Sequence, residues 1–182
     1  MQHERGAQLV EFALVSVLLF VIIFGLIEGG LLVRARNNVA SSADDAARRG
    51  AIAADESSAD WQILRQLEVR GALRASQINY VVVYRASSST EAPPATCQAG
   101  TPVTDVCNVY ERADFDVDAS LFTCSDPGLD ANWCPTDRAE DTTAFEYVGV
   151  WINATHTGLF GIFGDVELGA QSVLPLEGSG GV

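Results

Sequence analysis

Few residues in this chain of 182 are of types and spacings that could do chemistry. Four cysteines stand at Cys97, Cys107, Cys124 and Cys134, none of them in a C-x-x-C pair, and the only histidines are His3 and His156. Zinc wants Cys and His ligands at short, repeated spacings, so a metal site finds weak support here and no cofactor is expected. The two intervals of ten residues between cysteines favour local loops, Cys97 with Cys107 and Cys124 with Cys134. Such a loop stabilises a domain by about 3 kcal/mol in the chain-entropy model. Four cysteines allow three pairings and the spacing leaves the choice open. Disulfides in turn imply an oxidising location outside the cytoplasm.

Carboxylates offer a second possibility. In ADFDVDAS, Asp114, Asp116 and Asp118 alternate, which on an extended segment puts three oxygen donors on one face, where a hard cation such as calcium could bind. The EF-hand pattern fails, since Ala119 stands where its glycine belongs and Ser125 where its last glutamate belongs. A solvated polar strand face is the simpler expectation. The chain has no G-x-S-x-G, phosphate loop or H-E-x-x-H, and its cysteines are committed to disulfides, so an enzyme is not expected. The net charge of -13 argues against nucleic-acid binding, which needs cations to displace counterions from phosphates.

That charge is unevenly spread. Residues 1–86 carry nine Arg and nine acids, whereas residues 87–182 carry two Arg and fifteen acids. The neutral half contains the apolar run FALVSVLLFVIIFGLI at 12–27, whose only polar side chain is Ser16, continued past Glu28 to Val33. At about 1.5 Å per residue such a run spans roughly 30 Å of hydrocarbon. Arg34 and Arg36 directly after it stand where a cleaved signal peptide would have small residues. Two acids flank the run. Glu28 is expected near the distal interface and solvated, while Glu11 lies at the start of the helix, where a carboxylate in hydrocarbon must be paired or functional. Gly25 and Gly29 have the small-x-x-x-small spacing that lets two membrane helices approach closely.

The elements beyond are legible from periodicity. Ala35, Val39, Ala43, Ala46, Ala47 and Ala51 follow a helical period, so the membrane helix is expected to continue as a stalk to about residue 54. Ser57 and Asp60 have capping-box spacing before a second helix with Trp61, Leu64, Leu67 and Leu73 on one stripe, ending near residue 75. Strands are expected at 77–86, 109–117, 145–156 and 165–176, the last two joined by the glycine-rich TGLFGIFG. A proline-containing loop at 86–96 follows the first strand. Helices followed by a small antiparallel sheet make the class α+β.

The N-terminus completes the reading. MQHERG ends in Gly6, and the fifth and sixth residues after it are Glu11 and Phe12. This resembles the cleavage site of type IV prepilins, particularly the Flp class of the tight-adherence (Tad) pilus system. Together with FGLIEGG and the Ala/Arg-rich continuation, it is similar to the TadE-like family of pilin-related proteins. CNVYERADF and NWCPTDR resemble the same family more loosely. The resemblance implies a leader at 1–6 cut between Gly6 and Ala7 by a prepilin peptidase, a transmembrane helix at 7–33, a stalk at 34–54 and an exported acidic domain at 55–182. It assigns Glu11 and Phe12 to recognition and assembly, with Glu11 facing the new amine of a neighbouring subunit. An orphaned buried charge there would cost several kcal/mol.

The implied partners are membrane lipid, other pilin-like subunits and the Tad assembly machinery. The implied place is the bacterial cell membrane, single-pass with a cytoplasmic N-terminus, or a surface pilus for adhesion. Charge bias opposes this orientation, with Arg5 on one side against Arg34 and Arg36 on the other. The leader and the cysteines outweigh it. The alternative is an uncut single-pass protein whose outer domain binds a partner independently.

Overall fold

No proline precedes Pro93, and in the computed structural model one helix, α1, runs without interruption over Gln2–Ala53. The structure describes residues 2–70, 73, 77–138 and 146–176, with side chains described throughout except at 2–7 and 70. Ala54 ends α1 by turning into the left-handed region (φ 44°), its N–H still reaching the Gly50 carbonyl at 2.9 Å. The two halves of α1 have opposite surroundings. From Leu9 to Ile27 its large apolar side chains are exposed, whereas Val39, Ala43, Ala46, Ala47 and Ala51 are buried.

Helix α2 (Ala59–Arg70) lies against the buried half. Small residues bring the two helices close, and a Cβ at Gly50 would stand only 2.7 Å from Ile63 Cδ1. Ile63, Leu64 and Leu67 of α2 join the core, with Trp61 half-buried at its edge. The expected cap role of Asp60 is not what the chain adopts. The helix starts one residue before Asp60, and that side chain turns inward, fully buried. α2 ends at Arg70 rather than near residue 75; residues 71–72 and 74–76 lie outside the described set.

Four antiparallel strands follow, β1 (Ile78–Ala86), β2 (Cys107–Glu111), β3 (Tyr147–Thr157) and β4 (Asp165–Pro175), in the order β2-β1-β3-β4. Val82 pairs with Val109 on one side and Trp151 on the other, and Val150 pairs with Ser172. β1 is apolar on both faces because both are covered. Val81 and Val83 face the helices, and Val82 and Tyr84 face a second cluster that includes Cys97 and Cys107. The short helix α3 (Ala95–Gln98), which starts in the last two residues of the segment read as loop and runs past its end, carries Cys97 onto that second face. The disulfides are Cys97–Cys107 and Cys124–Cys134, the sequential one of the three possible pairings.

β2 is shorter than the expected strand at 109–117. After Glu111 the backbone coils into a 3-10 turn over Arg112–Asp116, because Asp114 reaches back to accept the Glu111 N–H at 2.7 Å. Of the strand expected at 145–156, residue 145 lies outside the described residues, Glu146 precedes the strand, and the remainder is in β3.

Candidate functional site

The peptide joining Gly6 and Ala7 lies within α1, and Glu11 follows one turn after Ala7 on the same side of the helix. Glu11 and Phe12 are both exposed. Further along, a Cβ added at Gly25 or Gly29 would meet nothing within 4 Å, so this stretch of backbone is open to a neighbour. Exposed Leu, Val, Ile and Phe side chains run continuously from Leu9 to Ile27. A contiguous apolar surface of this extent marks a membrane or protein contact. The helix is long and apolar enough to cross a bilayer.

Glu28 is not solvated as expected but fully buried. The loop between β3 and β4 folds over it. The Ile162 N–H donates to Glu28 Oε2 at 3.0 Å, and the Phe160 ring packs on Phe24 with centroids 4.7 Å apart. Gly158 is required by close approach, since a Cβ there would come within 1.9 Å of Glu28 Oε1. Gly161 and Gly164 take positive φ (70° and 64°), which lets the loop turn back on itself. In sequence these glycines signalled a turn; nothing in their pattern signalled that the turn would cover a carboxylate.

A second buried polar cluster ties α2, β2 and the Cys124–Cys134 loop together. The Arg138 guanidinium, fully buried, contacts both Asp60 carboxylate oxygens at 2.7 and 2.8 Å and stacks 4.1 Å from the Trp133 ring centroid. Asn108 donates to Asp60 at 3.0 Å and to the Trp133 carbonyl at 2.7 Å, and accepts the Trp133 N–H at 2.8 Å. The Tyr110 hydroxyl lies 2.6 Å from Asp60 Oδ2 and 2.6 Å from Asp130 Oδ1. A phenol has one proton to donate, so two carboxylates can share it only if one of them is itself protonated. Asp130 takes that role. Burial, then the nearby Asp60 charge, push its carboxyl up to about 7, and burial raises the Tyr110 phenol well above its ordinary range. The resulting relay, Asp130 to Tyr110 to Asp60, is balanced in charge by Arg138. This arrangement braces the fold.

The alternating aspartates do not converge. Asp114 is spent on the Glu111 N–H, Asp118 caps the next turn by accepting the Ser120 N–H at 2.9 Å, and Asp116 is exposed. No group of His, Cys, Asp or Glu suited to a metal ion occurs among the described residues, and both cysteine pairs are oxidised. A surface groove of about 400 Å³, lined by Arg49, Trp61, Gln62 and Arg65, lies beside α2, where Gln62 bonds Arg49, Glu56 and Ser58.

These features define an α+β domain borne on an apolar helix of membrane-spanning length. Residues 6–48 match the family model described as TadE-like protein, a match that follows α1 and stops before the sheet. No curated protein and no solved structure matches the chain.

Proposed function

We propose that the chain is a membrane-anchored component of a Tad-type pilus system, a minor pilin or pseudopilin that associates with other pilin-like subunits through α1. The supporting observation is a coincidence of position. The TadE-like match falls on the helix that leaves its apolar surface uncovered, and that helix begins with the Gly6, Glu11, Phe12 spacing. On this reading a prepilin peptidase cuts between Gly6 and Ala7. The new amine then lies about one helical turn from Glu11, which meets the amine of a neighbouring subunit and relieves the cost of burying either charge alone. Gly25 and Gly29 allow close helix approach, and the acidic domain faces water. The role is structural, not enzymatic.

Intact mass of the protein from cells with and without the peptidase tests the reading. The expected outcome is a chain beginning at Ala7 only when the peptidase is present, and an uncut chain for Gly6→Arg. A full-length chain in peptidase-positive cells would overturn it in favour of an uncut single-pass protein.

A further inference from the structure

The β3–β4 hairpin runs alongside α1, and its length places its tip. Gly50 of α1 lies near Val148 at the start of β3, and Glu28 lies against Gly158 just beyond its end. From residue 50 back to 28 a helix covers about 33 Å at ~1.5 Å per residue. From residue 148 to 158 a strand covers about 33 Å at ~3.3 Å per residue. The hairpin therefore reaches past the polar part of α1 and down onto its apolar part.

What the hairpin carries there differs from the rest of the sheet. Residues 158–164, GLFGIFG, contain no polar side chain. Leu159, Phe160, Ile162 and Phe163 are 44–66% exposed, level with the exposed Leu26 and Ile27 of α1. Polarity returns on the hairpin first: Asp165 is exposed and pairs with Thr157, about 3 Å along the strand from Gly158, whereas Arg34 on α1 is six helical residues, about 9 Å, from Glu28. Counting about 30 Å of hydrocarbon from Phe12 brings its far boundary to about residue 32, so Glu28 and the tip fall in its outermost few ångströms, with Asp165 towards the headgroups.

We propose that the β3–β4 tip is a second membrane contact, inserting its Leu, Ile and Phe side chains beside α1 into the leaflet nearest the sheet domain. The partner is the acyl region of a lipid bilayer. Glu28 is the docking point. A carboxylate at this depth is costly when it faces lipid, and here it is covered by Gly158 and accepts the Ile162 N–H instead. With two points of attachment, the domain is held at a set angle to the membrane instead of swinging on its stalk. The proposal rests on the membrane-spanning reading of α1 given above.

The test places an environment-sensitive fluorophore on single added cysteines in the full disulfide-bonded chain, reconstituted in phosphatidylcholine vesicles with nitroxide-labelled acyl chains. Leu159→Cys and Phe163→Cys probe the tip, Leu18→Cys the helix, and Ser88→Cys a polar loop; each of these side chains is exposed. Both tip labels are expected to be quenched at least about threefold more than the Ser88 label, approaching the Leu18 label. Tip quenching no greater than at Ser88, with Leu18 quenched, overturns the tip contact alone. Tip labels silent to lipid but quenched by a nitroxide on a second copy overturn it in favour of a subunit contact. An unquenched Leu18 label overturns the membrane span itself.

Discussion

Glu28 and Asp60 are both carboxylates with no exposed surface, and the two ends of the domain bury them by opposite means. Around Asp60 stand a guanidinium, a phenol and an amide, so charge is met with charge and Oδ2 accepts from all three, although Arg138 Nε and Nη1 and Asp130 Oδ2 have no hydrogen-bond partner among the described residues. Around Glu28 there is one backbone N–H, from Ile162, while Oε1 has no hydrogen-bond partner among the described residues. A buried ion loses several kcal/mol of hydration, and a single neutral donor does not restore it. The comparison teaches that the Asp60 charge is met by a counter-charge within the folded domain. The Glu28 contact belongs to a surface that something else must complete, which is what an apolar helix and an apolar hairpin tip side by side also indicate.

The largest effect is expected from breaking the charge-paired end. Arg138→Met keeps most of the side-chain volume over Trp133 but strands Asp60 as an unpaired buried charge. The cost should be about 3–5 kcal/mol in denaturant unfolding. A loss below 1 kcal/mol would mean that Tyr110 and Asn108 alone satisfy Asp60.

Next comes pH, which acts on the same cluster through Asp130. Its folded carboxyl titrates at about 7, above the unfolded value near ~3.9. A raised carboxyl binds its proton more tightly in the folded state. Its contribution is therefore full below about pH 4 and is lost as pH rises through about 7. Between pH 5 and 8 the stability should fall by on the order of 2 kcal/mol. Asp130→Asn, which cannot ionise, should flatten that slope, and an unchanged slope would show that another group is responsible.

How much of this was readable beforehand follows from how local each feature is. α1 and α2 announce themselves by helical period, β1 by its run of β-branched and aromatic residues, and the cysteine loops by their spacing. Asp60 looked like a cap because Ser57 precedes it by three residues, yet its partner Arg138 lies 78 residues away. Glu28 looked like an interfacial acid, yet the amide that meets it is 134 residues away. No local pattern encodes contacts of that range. The aspartates at 114, 116 and 118 misled for a different reason. Their alternation with Phe115 and Val117 mimics a strand, while short carboxylates that can bond the backbone two or three residues away favour turns instead. Asp114 and Asp118 do so here.

The smallest expected effect probes the other end of the comparison. If Gly158 is glycine because Glu28 occupies the space its Cβ would need, Gly158→Ala should loosen the tip only while Glu28 is present. Alanine should displace the carboxylate, weaken its bond from Ile162, and speed exchange of the Ile162 amide by about fivefold, near 1 kcal/mol of local stability. In a Glu28→Ala background the amide has already lost its acceptor and the new methyl has room. Adding Gly158→Ala should then change little, leaving a coupling of about 1 kcal/mol in the double-mutant cycle. Additive effects would place the origin of the glycine in the turn rather than in Glu28, and would remove the strongest tie between the hairpin tip and the apolar helix. Neither substitution should alter unfolding of the Asp60 cluster, because Asp60 is paired with Arg138 at the other end of the domain.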